Sequence, residues 1–289
     1  MYDTALSEIY GTCLGNQAGY QFSNNRITIQ SSHVLDNRSM KPHRHIRGQL
    51  LYLALGSIVV LVENRFYVVY SGNYIWIPPG MEHKTFSRAR SEVHSLYIDK
   101  EVGKSFSPIP FISKASPLFV QLLDRLTYLT HFTDGEDAMI NSLESLLLME
   151  IDGGNIIDVG LPLPKDKRLL SLCKRLFDDP LYNMTIEDLL KNIPISYRHA
   201  IRLFKQQTGI DFGKWRVLLR LHVAVSLLMS GYSVTRVSNE IGYSNPSGFS
   251  AAFKNEFGMS PREFVNNRNF DINKLFKGRF PQFVQTPAI

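Results

Sequence analysis

Three histidines in the first half of the chain have the residue type and spacing of a metal-binding group. His43 and His45 are two residues apart in a segment that we interpret as extended, so their side chains point to one face. His83 follows a turn marked by Pro78 and Gly80. Two imidazoles from a strand and a third from a turn can form a three-nitrogen metal site with an open coordination position. Alternatively, these histidines form the hydrogen-bonded wall of a pocket or face solvent.

Short apolar segments separated by turns surround the histidines between residues 27 and 99. Val, Ile, Tyr and Phe dominate these segments, and Gly56 and Gly72 mark two of the turns. Because the connections are too short for crossover helices, we expect an antiparallel sandwich or barrel and not a parallel sheet. The predicted strands cover residues 50–55, 57–62, 66–70 and 74–77.

The order of these residues resembles the two conserved stretches of the cupin superfamily. In the first stretch, the H-x-H pair is followed four positions later by Gln49, where cupins usually have glutamate, and then by Gly56. The second stretch runs from Gly72 through Pro78-x-Gly80 to the third histidine. The resemblance implies a small β-barrel that holds a divalent metal ion, with candidate ligands His43, His45, His83 and Gln49.

Two positions depart from the cupin pattern. Gln49 replaces the usual carboxylate, and Ser87 stands where asparagine is usual. Loss of the carboxylate removes the negative charge that would offset a divalent cation. The histidines therefore serve either metal binding or the lining of a pocket.

Apolar residues after Pro117 recur at helical spacing. They predict two amphipathic helices, over residues 117–130 and 137–150, whose apolar stripe either packs in the chain's own core or forms a self-association face. Gly and Pro then accumulate between Asp152 and Pro164, which is typical of a linker. We place the domains at residues 1–152 and 168–268, with a linker over 153–167 and a tail over 269–289.

Basic residues are concentrated in the second half of the chain. Residues 165–268 contain 16 Lys and Arg against 9 Asp and Glu, whereas the whole chain has 32 against 26. A basic module joined to a slightly acidic one is typical of polyanion binding. Cys13 and Cys173 lack disulfide or metal-type spacing, and neither an export signal nor a long apolar span is evident, so we expect a cytoplasmic protein without a membrane partner.

The basic half contains two units of two short helices joined by a turn. Thr185 and Ser196 are predicted N-caps of the first pair, and Ser233 caps the first helix of the second pair. A long helix over residues 212–229 connects the two pairs. Two short helices with a tight turn make a helix-turn-helix, so we predict two such modules.

These segments resemble the DNA-binding domain of the AraC/XylS family of transcription activators. The resemblance covers residues 168–268 and is carried by residues 196–209 and by residues 241–261, which end in a Gly-x-Ser-Pro element. It implies two recognition helices on one face of DNA, about 34 Å apart. Ala251 and Gly248 depart from residues frequent in the family. By position, the implied DNA-binding residues are Tyr197, Arg198, Ile201, Arg202, Lys205, Asn245, Ser247, Ser250 and Lys254.

The sequence therefore predicts an α+β protein with a cupin-like antiparallel β-barrel before an all-α double helix-turn-helix domain. Its predicted function is sequence-specific regulation of transcription, through double-stranded promoter DNA and RNA polymerase, by a homodimer that senses a small-molecule effector or a metal. Many sensor barrels of AraC-type regulators hold an effector instead of catalysing a reaction. The predicted effector pocket contains Tyr52, Trp76, Phe86 and His94.

Two other functions are compatible with parts of this pattern. The barrel can be a metalloenzyme, such as a dioxygenase or isomerase, which the basic half tethers to DNA. Against this, no catalytic acid, base or second carboxylate accompanies the histidines, so we predict no enzymatic activity. A sequence-tolerant architectural DNA binder is the third alternative, and paired reading helices argue against it.

Overall fold

The computed structural model describes residues 25–34, 38–63, 65–87, 90–132, 137–152, 156–157, 161–178 and 184–266. The chain divides into two compact units, the first with residues 1–63 and 69–158 and the second with residues 64–68 and 159–289. The predicted tail over residues 269–289 lies outside the described residues. The predicted boundaries at 152 and 168 stay a prediction.

The first unit contains antiparallel strands, at the positions that the sequence predicts. One six-stranded sheet has, in spatial order, β1 (Ile27–Val34), β8 (Ser91–Ile98), β3 (Gly48–Leu55), β6 (Asn73–Ile77), β9 (Phe111–Lys114) and β10 (Ile156–Ile157). A second sheet contains β4 (Ser57–Val62), β7 (His83–Ser87) and β2 (Arg38–Ser39) in that order, and the division between the units falls within β5 (Arg65–Tyr70). The predicted α+β class is confirmed, but the described strands form two sheets and not one closed barrel.

A layer of helices covers one face of the six-stranded sheet. After the short α1 (Lys100–Gly103), α2 (Pro117–Phe132) and α3 (Asp137–Asp152) confirm the two predicted helices. Alternate residues of the strands, such as Leu50 and Leu96, form a buried core with Phe119 and Leu123 of α2. Because side chains alternate along a strand, Gln49 and Tyr97, which pair with each other across β3 and β8, point to the opposite face of the sheet.

The second unit is mostly helical. Its helices are α4 (Lys167–Asp178), α5 (Ile186–Leu190), α6 (Tyr197–Thr208), α7 (Phe212–Met229), α8 (Val234–Glu240), α9 (Pro246–Phe257) and α10 (Pro261–Asn266). The predicted caps are confirmed: Thr185, Ser196 and Ser233 accept hydrogen bonds from backbone N–H groups of the helices that follow them. The reading helices α6 and α9 both end at a left-handed glycine, Gly209 and Gly258.

Part of the predicted linker is built into the second unit. The short strand β11 (Leu161–Pro162) pairs with the start of β5, where Leu161 lies opposite Phe66. The fully buried indole of Trp215 on α7 donates a hydrogen bond from Nε1 to the carbonyl oxygen of Pro162, at 2.9 Å. Leu161 and Leu163 are buried as well, so this segment has a packing role that its Gly and Pro content did not indicate.

Of the described helices, none has the length and hydropathy needed to span a lipid bilayer.

Candidate metal centre and DNA-reading helices

Backbone hydrogen bonds hold the three histidines of the first unit together. His43 and His83 form an isolated antiparallel bridge, in which each N–H donates to the other's carbonyl oxygen at 3.0 and 2.8 Å. The N–H of Gly80 donates to the carbonyl oxygen of His45 at 2.8 Å, and Gly80 has a φ of 80° that favours glycine. The Pro78-x-Gly80 turn therefore places His83 beside the H-x-H segment.

The imidazole rings meet at short range. Their ring centroids are 4.8 Å apart for His43 and His45, 4.4 Å for His43 and His83, and 5.2 Å for His45 and His83. One nitrogen from each ring lies within 4.8 Å of the other two, which is close enough for all three to bind one ion. The structure thus brings together the three histidines that the sequence singled out, while metal binding itself stays a prediction.

Two of the rings have a defined donor nitrogen. Nδ1 of His43 contacts the carbonyl oxygen of Lys41 at 2.8 Å, and Nδ1 of His83 contacts that of Met81 at 3.0 Å. A carbonyl oxygen only accepts, so each Nδ1 carries a proton, and in the neutral ring Nε2 keeps its lone pair for a metal ion. Backbone carbonyls commonly orient metal-ligating histidines in this way.

Several buried polar atoms of the site have no hydrogen-bond partner within the described part of the chain. They are both ring nitrogens of His45, Nε2 of His83 and Oε1 of Gln49. The three residues are only 3 %, 2 % and 5 % exposed, respectively. A buried polar atom without a partner costs about 1–3 kcal/mol, so a cluster of them indicates a bound ion or molecule. The residues present therefore fit a metal ion.

Burial keeps two of these imidazoles neutral. Removal from water lowers the pKa of His45 to about 4, and the neighbouring His43 lowers it further. The amide of Gln49, which is near the ring but outside hydrogen-bonding geometry, acts in the other direction. Burial also lowers the pKa of His83 to about 3, although its hydrogen bond to Met81 acts in the other direction. Neutral imidazole is the form that binds a metal ion, so both side chains are ready to bind at pH 7.

Gln49 completes the site without adding charge. Its Nε2 donates to the hydroxyl of Tyr97 at 3.3 Å, and the ring of Tyr97 lies 5.1 Å from that of His45. Among the residues that the structure describes, no Asp or Glu joins the histidine group. The donor set is therefore neutral, as the substitution at position 49 predicted.

The structure does not bring the four predicted pocket residues together with the histidines. Tyr52 and Trp76 belong to the core between the six-stranded sheet and the helices, where His94 pairs with Tyr52 across the strands. Gln49 and Tyr52 are three residues apart on β3, and so are His83 and Phe86 on β7. Residues at odd spacing on a strand point to opposite faces. The spacing along each strand can be read from the sequence. It favours Tyr97 as a residue beside the histidines, because Tyr97 faces the same side of the sheet as Gln49.

The first reading helix, α6, exposes most of its predicted DNA-binding side chains. Arg198 and Arg202 are exposed, Tyr197 is 44 % exposed, and Ile201 is half-buried. The opposite face of the helix is anchored by buried core residues, among them Phe204. Lys205 lies 3.0 Å from Oδ1 of Asp211 in an exposed ion pair, so its charge is partly compensated. The helix is therefore held by its apolar face and presents its arginines to solvent.

The second reading helix, α9, has a similar construction with different chemistry. Asn245 caps it, because its Oδ1 accepts a hydrogen bond from the N–H of Gly248 at 2.7 Å. Ser247 and Lys254 are exposed and Ser250 is half-buried, while the core face is aromatic and centred on Phe253. This helix presents small polar groups where α6 presents two arginines.

Arg220 of the long helix α7 holds the second module in place, a role that the sequence did not reveal. Its Nε and Nη2 donate to the carbonyl oxygens of Ile241 and Gly242, both at 2.9 Å. Its guanidinium carbon lies 4.1 Å from the ring centroid of Tyr243. The partners are 21 and 22 residues away along the chain, so no local sequence pattern predicts this contact.

Comparisons with known proteins agree with both units. The model of an AraC-like ligand binding domain matches residues 32–130, and the model of a helix-turn-helix domain matches residues 189–267. The HTH-type transcriptional regulator NimR of Escherichia coli K12 is 26 % identical over 230 residues, which cover 80 % of this chain and 84 % of NimR. The arabinose operon regulatory protein of the same organism is 26 % identical over 272 residues, covering 85 % and 91 % of the two chains.

Among solved structures, ToxT from Vibrio cholerae O395 is similar at 12 % identity, with 88 % of this chain and 99 % of that chain covered and a TM-score of 0.34.

A ligand-binding domain followed by a helix-turn-helix domain defines a transcription regulator that binds DNA and an effector. The chain belongs to the AraC family of transcription regulators and carries a cupin-like ligand-binding domain, as the sequence predicted.

Proposed function

We propose that this regulator reads double-stranded promoter DNA through α6 and α9, and that a ligand at the histidine site sets its affinity or its activity on the promoter. The observation that carries the proposal is the repeated construction of the two modules. Each reading helix has a side-chain cap, a buried apolar face and an exposed polar face, which is how such a helix enters a major groove.

On α6, arginine supplies the base contacts. The exposed guanidinium groups of Arg198 and Arg202 suit bidentate hydrogen bonds to guanine, with Tyr197 and Ile201 alongside. Lys205, whose charge Asp211 partly compensates, contributes a phosphate contact.

On α9, the base contacts come from smaller groups. Asn245 keeps its amide nitrogen as a donor while its oxygen caps the helix, and Ser247 and Ser250 supply hydroxyls. Lys254 is exposed in the third turn of the helix and reaches the backbone of the DNA. We therefore expect the half-site read by α6 to show the stronger base preference.

In the ligand-binding unit, His43, His45 and His83 hold a divalent metal ion, and Gln49 adjoins it. A bound ion supplies coordination positions for an effector that the neutral pocket walls cannot supply themselves. The protein groups bind and orient: the carbonyls of Lys41 and Met81 fix two of the rings, and Tyr97 fixes the amide of Gln49. Because the named relatives are transcription regulators, the proposed role of this ion is sensing and not catalysis.

We also propose that the protein acts as a homodimer that contacts RNA polymerase on the promoter. Several large apolar side chains on α2 and α3 are exposed, which suits a self-association face. They are Leu118, Tyr128, Met139, Leu146 and Met149.

The test is selection of DNA sites from a random-sequence library with the purified full chain. The recovered sites are then measured at two salt concentrations, with protein as purified and with protein stripped of metal by a chelator. Two conserved half-sites about one helical turn apart, bound with an affinity that metal removal changes, support the proposal. Equal affinity for all sequences that falls steeply with salt would identify an architectural binder instead.

A further inference from the structure

We propose that the effector of this site is a small anionic chelator, such as a molecule with a carboxylate and a second oxygen donor, which binds to the metal ion itself. The inference rests on the proposed function, which places a divalent ion at His43, His45 and His83. It concerns what Gln49 does to that ion.

The protein ligands of the site carry no negative charge. Three imidazoles and one amide leave a divalent ion with both of its positive charges. The neighbouring acid, Glu82, is exposed and lies 4.0 Å from Arg44, so it faces solvent. An uncompensated buried charge is strongly disfavoured, so an anion from outside the protein, either hydroxide from a bound water or the carboxylate of a ligand, would offset it.

The segment that carries the site adds no negative charge of its own. Residues 43–51 contain no Asp or Glu. Arg47, two residues from both His45 and Gln49, is buried, and its guanidinium donates to the carbonyl oxygen of Arg26 at 3.0 Å. This segment therefore offers a cation and no counter-charge to the metal.

The number of open coordination positions on the metal ion favours a chelating ligand. Three protein nitrogens leave several positions on a transition-metal ion that takes five or six ligands. The unpartnered Oε1 of Gln49 and the hydroxyl of Tyr97 add polar groups beside them, while Leu51 and Leu53, on the same face of β3, are buried. The open positions and the polar groups beside them thus suit a small ligand that offers two oxygens to the ion.

The experiment uses the full chain loaded with Co²⁺, whose absorption bands report its ligands, and oxalate as the chelating probe. Metal content after desalting is measured first, because a chain that retains no ion disproves the metal part of the proposed function and the inference with it. With the ion retained, oxalate should change the Co²⁺ spectrum and bind with measurable heat, whereas the metal-free chain should show no binding. Acetate, which offers one carboxylate without a second donor, should bind more weakly.

Gln49→Glu tests the charge argument directly. The new carboxylate should strengthen Co²⁺ binding and weaken oxalate binding about tenfold or more, since a change beside a metal site alters affinity by about 10–100-fold. Gln121→Glu, on the exposed surface of α2, makes the same chemical change away from the site and should leave both affinities unchanged. Retained Co²⁺ with a spectrum that oxalate does not change, oxalate that merely strips the ion, or equal oxalate affinity in Gln49→Glu would each overturn the inference and leave the metal site standing.

Discussion

The histidine site of the first unit and the reading helices of the second unit use polar side chains in opposite ways. At the site, His45, His83 and Gln49 are buried and have polar atoms without partners in the described structure. On the reading helices, Arg198 and Arg202 are exposed, so water can satisfy their hydrogen-bond donors. The buried site therefore depends on its ligand for stability, whereas the reading helices depend on their own caps and core.

This difference has a consequence for how each region responds to substitution. Removal of a histidine takes away both a donor and an unsatisfied buried group, so binding changes more than folding does. Removal of an arginine from the reading face changes DNA affinity alone. The four predictions below test this contrast.

The largest effect is expected for the double variant His43→Ala, His45→Ala. It removes two of the three nitrogen donors, so metal content by plasma mass spectrometry should fall from about one ion per chain to near zero. His131→Ala, on the exposed end of α2, is the matched control and should keep the ion. Metal that persists in the double variant would place the ion elsewhere in the chain.

Arg202→Ala should weaken binding to the selected DNA by about 1–3 kcal/mol, which is about five- to 150-fold, and relax the preference at one base step. The measurement is a titration against the selected site and against sites altered at single positions. Lys100→Ala on α1 removes an exposed cation from the other unit and should have no effect. A loss of equal size for every sequence would instead identify Arg202 as a phosphate contact.

The buried His222 on α7 should make the second unit sensitive to acid. Burial lowers its pKa to about 3, so below its ordinary value of 6.5 the unfolded chain takes up a proton that the folded chain refuses. The free energy of unfolding should therefore fall as pH decreases from 6.5 toward 3, by about 2 kcal/mol between pH 7 and pH 5.

Fluorescence of Trp215 in a Trp76→Phe background reports unfolding of this unit, since the chain has two tryptophans. His222→Leu should remove that part of the pH dependence, and an unchanged slope would assign it to other groups. His222 can be compared with His83, because the two side chains are equally buried. They differ in that His83 lies among other imidazoles.

The smallest effect is expected at Arg220. Arg220→Met keeps most of the side-chain volume but removes both hydrogen bonds to the end of α8, at a cost of about 1 kcal/mol of stability. Because the contact positions the second module, DNA affinity should fall more at the half-site read by α9 than at the one read by α6. Footprinting on single half-site variants measures this, and equal losses at both half-sites would contradict the positioning role.

Local signals made much of the fold predictable. Ser196 and Ser233 are side-chain caps that act within three residues, so helix starts followed from the sequence alone. The meeting of the three histidines was predictable from their cupin-like order, but their elements were not: we predicted a strand for His43 and His45 and a turn for His83, whereas His83 begins β7 and the other two lie outside the named strands.

Contacts between distant segments were not predictable in this way. Nothing near Pro162 indicates that its carbonyl accepts from the indole of Trp215, 53 residues later. The predicted pocket stays a prediction: aromatic composition identified Tyr52 and Phe86, and strand parity places them on the faces opposite to Gln49 and His83. Amino-acid composition predicts that a residue is buried, whereas the strand register determines which face of the sheet it occupies.

Each reading helix carries its own cap, Ser196 for α6 and Asn245 for α9, and each ends at its own left-handed glycine. A substitution at an exposed position such as Ser247 therefore disturbs none of the contacts that hold the other helix. Under the proposed function, the two halves of a promoter can evolve separately, because one half-site can acquire a new base preference while the other keeps the regulator on its old target.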